Sequence, residues 1–578
     1  LADLHLAIDR TAGGIAGQIA RELREAVRRG RLTAGERLPA SRELARDLGF
    51  SRGVVVEAYE QLVAEGFLTS KVGSGTHVAP AACRAPAPPG PGPVPGRTPG
   101  LPPRTPGPMP MPAPGPDPVP APGPVPAAAG PAPGGRPPGR PARRGPRPGG
   151  EDGGAPDPAP GYECDYGRRP TSPDLGCFPR ERWLASTRRV LAALPADALD
   201  YGDPGGVPEL REELAAYLRR VRGAEVGPEN LVIVGGVAQG LNLTVQALAG
   251  RLPGTRPDPG RPVHDPRRSP PDAPDPGRPG DCGADAGTPS LRTLSRFVDG
   301  SAPPLPPPGR IRLAVEDPTG LRQLPLLRSA GADPVAVPVD GEGVDVAALA
   351  ATGVRAVLLT PAHHYPTGVV LSPRRRAELV EWAAATGATI LEDDYDAEFR
   401  FDRDPVGCLQ GLAPGSVVLA GSVSKSLAPG LRLGWVAAPP RIAAAVRLAR
   451  AELDMGSPVL EQHTLADFVR SGAYDRHLRR MRREYRNRRD TLVRALARHL
   501  PEITVRGVSA GLHLLAELPP GWDERAAART AQSCGLAAEP VGPMRHRPGP
   551  SALVMGFARL PVHRADEVVR GFARGLPR

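Results

Sequence analysis

Gly421-Ser422-Val423-Ser424-Lys425-Ser426-Leu427-Ala428-Pro429-Gly430-Leu431-Arg432-Leu433-Gly434 follows the apolar run Val417 to Ala420 and reads as the polar loop at the end of a buried strand. Of the 73 lysines and arginines only Lys71 and Lys425 are lysines. Ala, Gly, Pro and Arg dominate the composition, so arginine supplies positive charge almost everywhere else. A lysine amine can lose its proton when desolvated and condense with an aldehyde, whereas a guanidinium stays protonated. The count alone would leave Lys425 an accident of composition, and its neighbours have to decide.

Working outward, Leu231 to Val234, Ile311 to Val315, Val354 to Leu359 and Ala388 to Leu391 are further short apolar runs, each followed by polar or glycine-rich residues. Strands alternating with helical stretches predict a parallel α/β sheet, whose ligands gather where the carboxyl ends of the strands open. After the first run, Gly235-Gly236-Val237-Ala238-Gln239-Gly240 leads into a helix and could cradle a phosphate, a weak signal alone. After the Val354 run come His363, His364 and Tyr365; adjacent histidines rarely share one metal ion, and no metal site is expected. Glu392-Asp393-Asp394-Tyr395-Asp396-Ala397-Glu398 lacks the glycine and spacing of a calcium loop. A lysine, an acid and hydroxyl or cationic groups at neighbouring strand ends together suit pyridoxal phosphate. It needs the lysine for a Schiff base, the acid against its ring nitrogen and the remaining groups around its phosphate.

Two stretches interrupt the patterned sequence. Residues 80–160 are Pro, Gly, Ala and Arg and read as a disordered linker; residues 252–308 read as a disordered insertion within a domain. That predicts three parts: residues 1–79, the linker 80–160, and residues 161–578 carrying the insertion. In the first part Ile15, Ile19, Leu23 and Val27 mark one helical face. Ser41 is expected to cap a second helix that Gly49 ends, and Ser51 a third from Arg52 to about Glu65. Phe67-Leu68-Thr69 and Thr76-His77-Val78 flank Gly73-Ser74-Gly75 as a hairpin wing, completing the outline of a winged helix-turn-helix.

Gly 70 and Pro 77 make up about a quarter of the 578 residues, so much of the length is expected not to fold. The net charge of +11 falls largely in the linker, and its size alone does not name a partner. No apolar run approaches the roughly 20 residues that span a bilayer, so a cytoplasmic protein is expected. The six cysteines form no Cys-x-x-Cys pair, which argues against zinc or a disulfide framework. The chain opens on Leu1, which implies that a few residues precede it.

With these residues assembled, the chain resembles MocR-type regulators of the GntR family, a winged helix-turn-helix joined to a fold-type I aminotransferase-like domain with a mixed, mostly parallel sheet. Leu38 to Ala45, Ser51 to Val56, Ala58 to Leu62 and Gly73 to Thr76 carry the resemblance at the front. Glu392 to Arg400, Gly421 to Gly434 and His477 to Arg482 carry it at the back. The resemblance implies Lys425 as the Schiff-base lysine, Asp393 against the pyridinium nitrogen and Tyr395 against the ring hydroxyl, with Tyr365 in the same pocket. Ser422, Ser424, Arg432, Ala238 and Gln239 would hold the phosphate, and Tyr201 would reach the phosphate of a neighbouring subunit, implying a homodimer. At the DNA, Arg52 would read a base edge, while Ser41, Arg42, Ser51, Lys71, Gly73, Ser74, Gly75 and Thr76 would meet the backbone or the minor groove.

Two positions depart from the aminotransferase pattern. Val554 stands where an arginine clamps the substrate carboxylate, and Gly320 where an aromatic stacks on the cofactor. Both count against amino-acid transamination and imply looser cofactor binding. The expected function is therefore a transcriptional regulator that senses pyridoxal phosphate, with or without an amine or amino-acid effector. The alternatives are an active aminotransferase carrying a DNA-binding domain and a degenerate domain that dimerises without cofactor. The intact Lys425, Asp393, Tyr395 and Arg432 argue against the last. The Arg470 to Arg489 segment is expected to be a solvated helix rather than a second DNA-contacting face.

Overall fold

In the computed structural model, residues 6–10, 14–71, 75–80, 169–252, 309–401 and 406–576 are described. Of the stretches read as linker and insertion only Pro80 and Leu252 are among the described residues; the rest lies outside them, as do Gly73 and Ser74.

The four-residue apolar repeat near the start forms α1 (Ile15–Arg28), with Ile19, Leu23 and Val27 buried. Next come α2 (Ser41–Leu48) and α3 (Arg52–Glu65). The expected cap of α2 is corrected: Ala40 is the extended cap residue, its N–H donates to the Glu43 carboxylate at 3.1 Å, and Ser41 is the first helical residue. Gly49 closes α2 at φ +67°, a left-handed conformation that costs glycine little. Ser51 occupies the cap position of α3, without a side-chain capping bond. β1 (Leu68–Lys71) and β2 (Gly75–Val78) pair antiparallel as the wing.

The larger body begins with α4 (Arg180–Ala193) and α5 (Pro208–Arg222), then β3 (Leu231–Val234), α6 (Val237–Leu248), β4 (Ile311–Asp317), α7 (Gln323–Ala330), β5 (Ala332–Asp340), β6 (Gly343–Val344), α8 (Val346–Ala351), β7 (Ala356–Leu359), α9 (Pro373–Thr386), β8 (Thr389–Asp394) and β9 (Val417–Ser422). The chain returns through β10 (Gly434–Ala437) before α10 (Pro440–Leu453), α11 (Val459–Arg470) and α12 (Ala473–His499). The order across the sheet is β3-β10-β9-β8-β7-β4-β5-β6. β4, β5, β7, β8 and β9 run parallel to one another, β6 pairs antiparallel with β5 at one edge, and β10 is antiparallel to both β3 and β9. β3 thus joins the sheet through an antiparallel strand. Along β9, Val417 and Leu419 pack into different apolar clusters from Val418 and Ala420, so both faces of the sheet are covered.

A second sheet is antiparallel throughout, in the order β11-β12-β14-β13. It comprises β11 (Thr504–Arg506), β12 (His513–Glu517), β13 (Ala537–Pro540) and β14 (Ala552–Gly556), with α13 (Glu524–Ser533) and α14 (Ala565–Gly575).

The helix-turn-helix elements and the α/β body share one apolar cluster, in which Leu23, Leu62 and Phe67 join Leu379, Trp382, Leu409 and Leu412. A polar seam runs beside it. Arg28 at the end of α1 donates to the carbonyls of Gly223 and, at 3.2 Å, Gly411, and its guanidinium pairs with Glu225 at 2.9 Å.

Candidate functional site

The loop after β9 carries Lys425, whose Nζ lies 3.3 Å from Thr171 Oγ1. Desolvation pulls the Lys425 amine below its ordinary pKa; the carboxylates of Asp396 and Asp393 act in the opposite direction, so both lie close enough for their charge to be felt there. Asp393 comes from the end of β8, two strands into the parallel part of the sheet. Gln323 Nε2 donates to its Oδ2 at 2.8 Å, while its Oδ1 is buried without a hydrogen-bond partner. Burial pushes this carboxyl up to about 7. A buried acid with one oxygen uncommitted is suited to a cationic N–H.

The acidic run does not form one cation site, because its members face different partners. Glu392 accepts the N–H groups of Leu409 and Gln410 at 3.0 and 3.1 Å; Asp394 pairs with Arg222; Asp396 Oδ2 lies 2.9 Å from His363 Nδ1. The two adjacent histidines also separate. His364 Nδ1 lies 2.6 Å from Thr367 Oγ1, and its ring is pushed down to about 3 by burial, then by His363. The His363 ring packs 4.9 Å from that of His513, and its Nδ1 is 3.2 Å from the Tyr395 hydroxyl. Tyr395 thus stands between the loop of Asp393 and a buried Asp396–His363 pair, and burial holds its phenol protonated.

The glycine-rich turn expected to meet a phosphate opens α6. Gly236 sits at φ +112°, and a side chain on it would come within 3.3 Å of the Arg432 guanidinium. Arg432 itself has φ +50°, a conformation uncommon outside glycine that brings its side chain to this turn. Gln239 Oε1 accepts the Gly235 N–H at 2.7 Å, and Gln239 Nε2 donates to Asp454 at 2.9 Å. Ala238 is exposed in the first turn of α6. Ser422, the last residue of β9, accepts the Ser424 N–H at 3.3 Å. The Arg432 guanidinium therefore lies beside the turn that opens α6, where helix N-termini favour negative charge.

Tyr365 and Tyr201 behave differently. Tyr365 packs against Leu515, Met544 and Val554, and its hydroxyl donates to Glu539 Oε2 at 3.1 Å. A side chain on Gly320 would meet the Tyr365 ring at 3.4 Å, so this ring occupies the space beside the missing aromatic. Tyr201 is 78% exposed.

On the helix-turn-helix, Arg42, Ser51 and Arg52 are exposed, and Arg52 Nε lies 3.4 Å from Ser41 Oγ. Lys71 ends β1, and Gly75 and Thr76 begin β2. The sequence reading missed Arg37, whose guanidinium approaches Gly75 at the wing; its position between α1 and α2 gave no periodic signal. It also missed Thr171, Gln323, His513 and Glu539, which come to the site from separate parts of the chain. Along α12, Tyr474, Leu478, Met481 and Tyr485 are buried, while Arg476, Arg479, Arg480 and Arg483 face outward, the pattern of a solvated helix.

Residues 15–78 match the family described as bacterial regulatory proteins, gntR family, and residues 322–570 match aminotransferase class I and II. The chain is 28% identical to the HTH-type pyridoxine biosynthesis transcriptional regulator PdxR of Corynebacterium glutamicum, over 90% of this chain and 87% of that one. It is 29% identical to the probable rhizopine catabolism regulatory protein MocR of Rhizobium meliloti, over 94% of this chain and 89% of that one. Among solved structures, an archaeal alanine:glyoxylate aminotransferase superposes with a TM-score of 0.54 at 24% identity, covering 70% of this chain and 89% of that one, which shows the shared fold. The chain therefore joins a GntR-type helix-turn-helix domain to a fold-type I aminotransferase class I and II domain, and the regulators PdxR and MocR are its relatives over nine-tenths of its length.

Proposed function

We propose that this protein is a DNA-binding transcriptional regulator whose aminotransferase-like domain holds pyridoxal phosphate and passes its occupancy to the helix-turn-helix. The observation that carries the reading is the buried Asp393, with one uncommitted oxygen, close to the desolvated Lys425 amine. The names of the PdxR and MocR relatives support the regulatory half.

The residues fit the cofactor. Lys425 would hold its aldehyde carbon, Asp393 its ring nitrogen and Tyr395 its ring oxygen; the α6 start, Arg432, Ser422 and Ser424 would hold its phosphate. Bound pyridoxal phosphate supplies an aldehyde that condenses with amines and a ring that withdraws electrons. Desolvation keeps more of Lys425 in the neutral, nucleophilic amine form. Gln323 fixes the Asp393 carboxylate, leaving Oδ1 for the ring N–H. The Asp396–His363 pair orients the Tyr395 hydroxyl.

Regulation requires that ligand occupancy favour one arrangement of the DNA-binding elements. A chain of contacts supports this. Asp394, beside Asp393, pairs with Arg222; the next carbonyl, Gly223 O, accepts from Arg28 of α1. In parallel, Glu392 holds the Leu409 and Gln410 amides, and the Gln410 side chain bonds Glu225, the ion partner of Arg28. The exposed Tyr201, with Leu184, Leu191 and Leu199 also exposed, supports a homodimer in which Tyr201 completes the partner's phosphate site. The buried Val554 disfavours an active amino-acid transaminase.

Absorption spectroscopy of the purified protein with pyridoxal phosphate tests the cofactor assignment. The wild type should gain the visible band of lysine-bound cofactor, and Lys425→Ala should not. No band in the wild type, or the same band in both, overturns it.

A further inference from the structure

The wall facing the candidate cofactor pocket has a composition that selects among ligands. Val554 lies opposite Leu515 on one side and Glu539 on the other in the antiparallel sheet, so the three side chains share a face. Val554 is fully buried, with Tyr365 packed against its cluster. The Tyr365 hydroxyl donates to Glu539 Oε2, and Glu539 Oε1 pairs with Arg322 at 3.2 Å. Tyr365 stands edge-on to Tyr395 at 6.5 Å, and Gln323, next to Arg322, donates to Asp393, which places this pair beside the same group of residues. Thr319 N–H donates to Met544 O at 2.9 Å and ties the Gly320 loop to the same wall.

A carboxylate entering here would need a cation. Arg322, next to the Gln323 that holds Asp393, is the cation at hand, but Glu539 already neutralises it. A ligand carboxylate that took Arg322 would leave Glu539 without its ion partner and beside a second negative charge. A ligand with an uncharged tail meets only Tyr365 and the intact pair.

We infer that the ligand taken beside Lys425 is a primary amine without a carboxylate, carrying an uncharged tail, and that Glu539 is the residue that turns α-amino acids away. This rests on the pyridoxal phosphate reading above.

The test is calorimetric titration of protein loaded with pyridoxal phosphate, its loading first verified by the visible band, using two pairs that differ only by the α-carboxylate: ethylamine against alanine, and pentylamine against norleucine. The amine of each pair should bind at least tenfold more tightly. Glu539→Gln, which can still accept the Tyr365 O–H but no longer neutralises Arg322, should shrink that ratio about tenfold. Alanine or norleucine binding as tightly as its amine overturns the inference while leaving the cofactor reading intact. An unchanged ratio in Glu539→Gln overturns the role of Glu539. Protein that takes up no cofactor overturns both readings, and the absent band identifies that outcome.

Discussion

Arg222 and Asp394 form a buried bidentate pair, Nε to Oδ2 at 2.7 Å and Nη2 to Oδ1 at 2.9 Å, one residue along β8 from Asp393. Arg222 is also the last residue of α5, so the same pair fixes the Gly223 carbonyl that accepts from Arg28. A shift of the β8 end therefore has a short mechanical path to α1.

Arg28→Gln cuts that path at the helix-turn-helix end. The variant should weaken the effect of pyridoxal phosphate on DNA affinity about fivefold or more, the size of a typical coupling free energy of about 1–3 kcal/mol. Fluorescence anisotropy on DNA from upstream of the gene, with and without cofactor, measures this. A cofactor effect of undiminished size would place the coupling elsewhere.

Arg222→Met strands the Asp394 carboxylate in the interior and should cost about 3–5 kcal/mol. Arg222→Met combined with Asp394→Leu removes both charges and should recover most of the loss. Urea unfolding midpoints of the three proteins report it, and a double variant no better than the single would mean that the pair is not the source of the cost.

Much of the site was legible because its signals are local. Gly421 to Gly434 places Lys425 and Arg432 around one strand end, and Glu392 to Glu398 places Asp393 and Tyr395 around another. The strand β10 escaped notice because Gly434–Ala437 closes the polar loop that carries Lys425, and its antiparallel insertion between β3 and β9 is a non-local choice. Ser41 misled as a cap because serine is equally at home in the first turn, where here it meets Arg52. Gln323, His513 and Glu539 carry no local signature; only the folded sheet order brings them to Asp393, His363 and Tyr365.

Cofactor affinity should rise with pH and then level off. In the free protein, burial raises Asp393, Glu392 and Glu316 each to about 7. Their raised values favour the folded state below the ordinary carboxylate range, and that contribution is lost as pH climbs through about 7. A protonated ring nitrogen favours the ionised form of Asp393, so binding below about pH 7 releases its proton, and affinity gains up to about tenfold per pH unit from this group. The neutral amine required of Lys425 adds in the same direction. Equilibrium dialysis between pH 5.5 and 8 checks the trend. Asp393→Asn should flatten it, and a slope unchanged by that substitution would contradict the assigned role.

Arg37 and Arg52 should separate by salt and sequence in DNA binding. Arg37, beside the wing at Gly75, is suited to a phosphate; Arg37→Ala should weaken binding to all sequences and lower the salt dependence by about one counterion. Arg52, at the start of α3, is suited to a base edge; Arg52→Ala should cost about 1–3 kcal/mol on the preferred site and relax discrimination there. Binding isotherms at several salt concentrations on preferred and scrambled DNA distinguish them, and matching profiles for the two variants would refute the division.

The central claim is that cofactor held at Lys425 controls DNA binding, and it is tested most directly by the affinity for DNA upstream of the gene as pyridoxal phosphate is titrated into wild type and Lys425→Ala. The account predicts an affinity change of several-fold in the wild type and none in the variant. An equal response in both, or no response in the wild type, would contradict it.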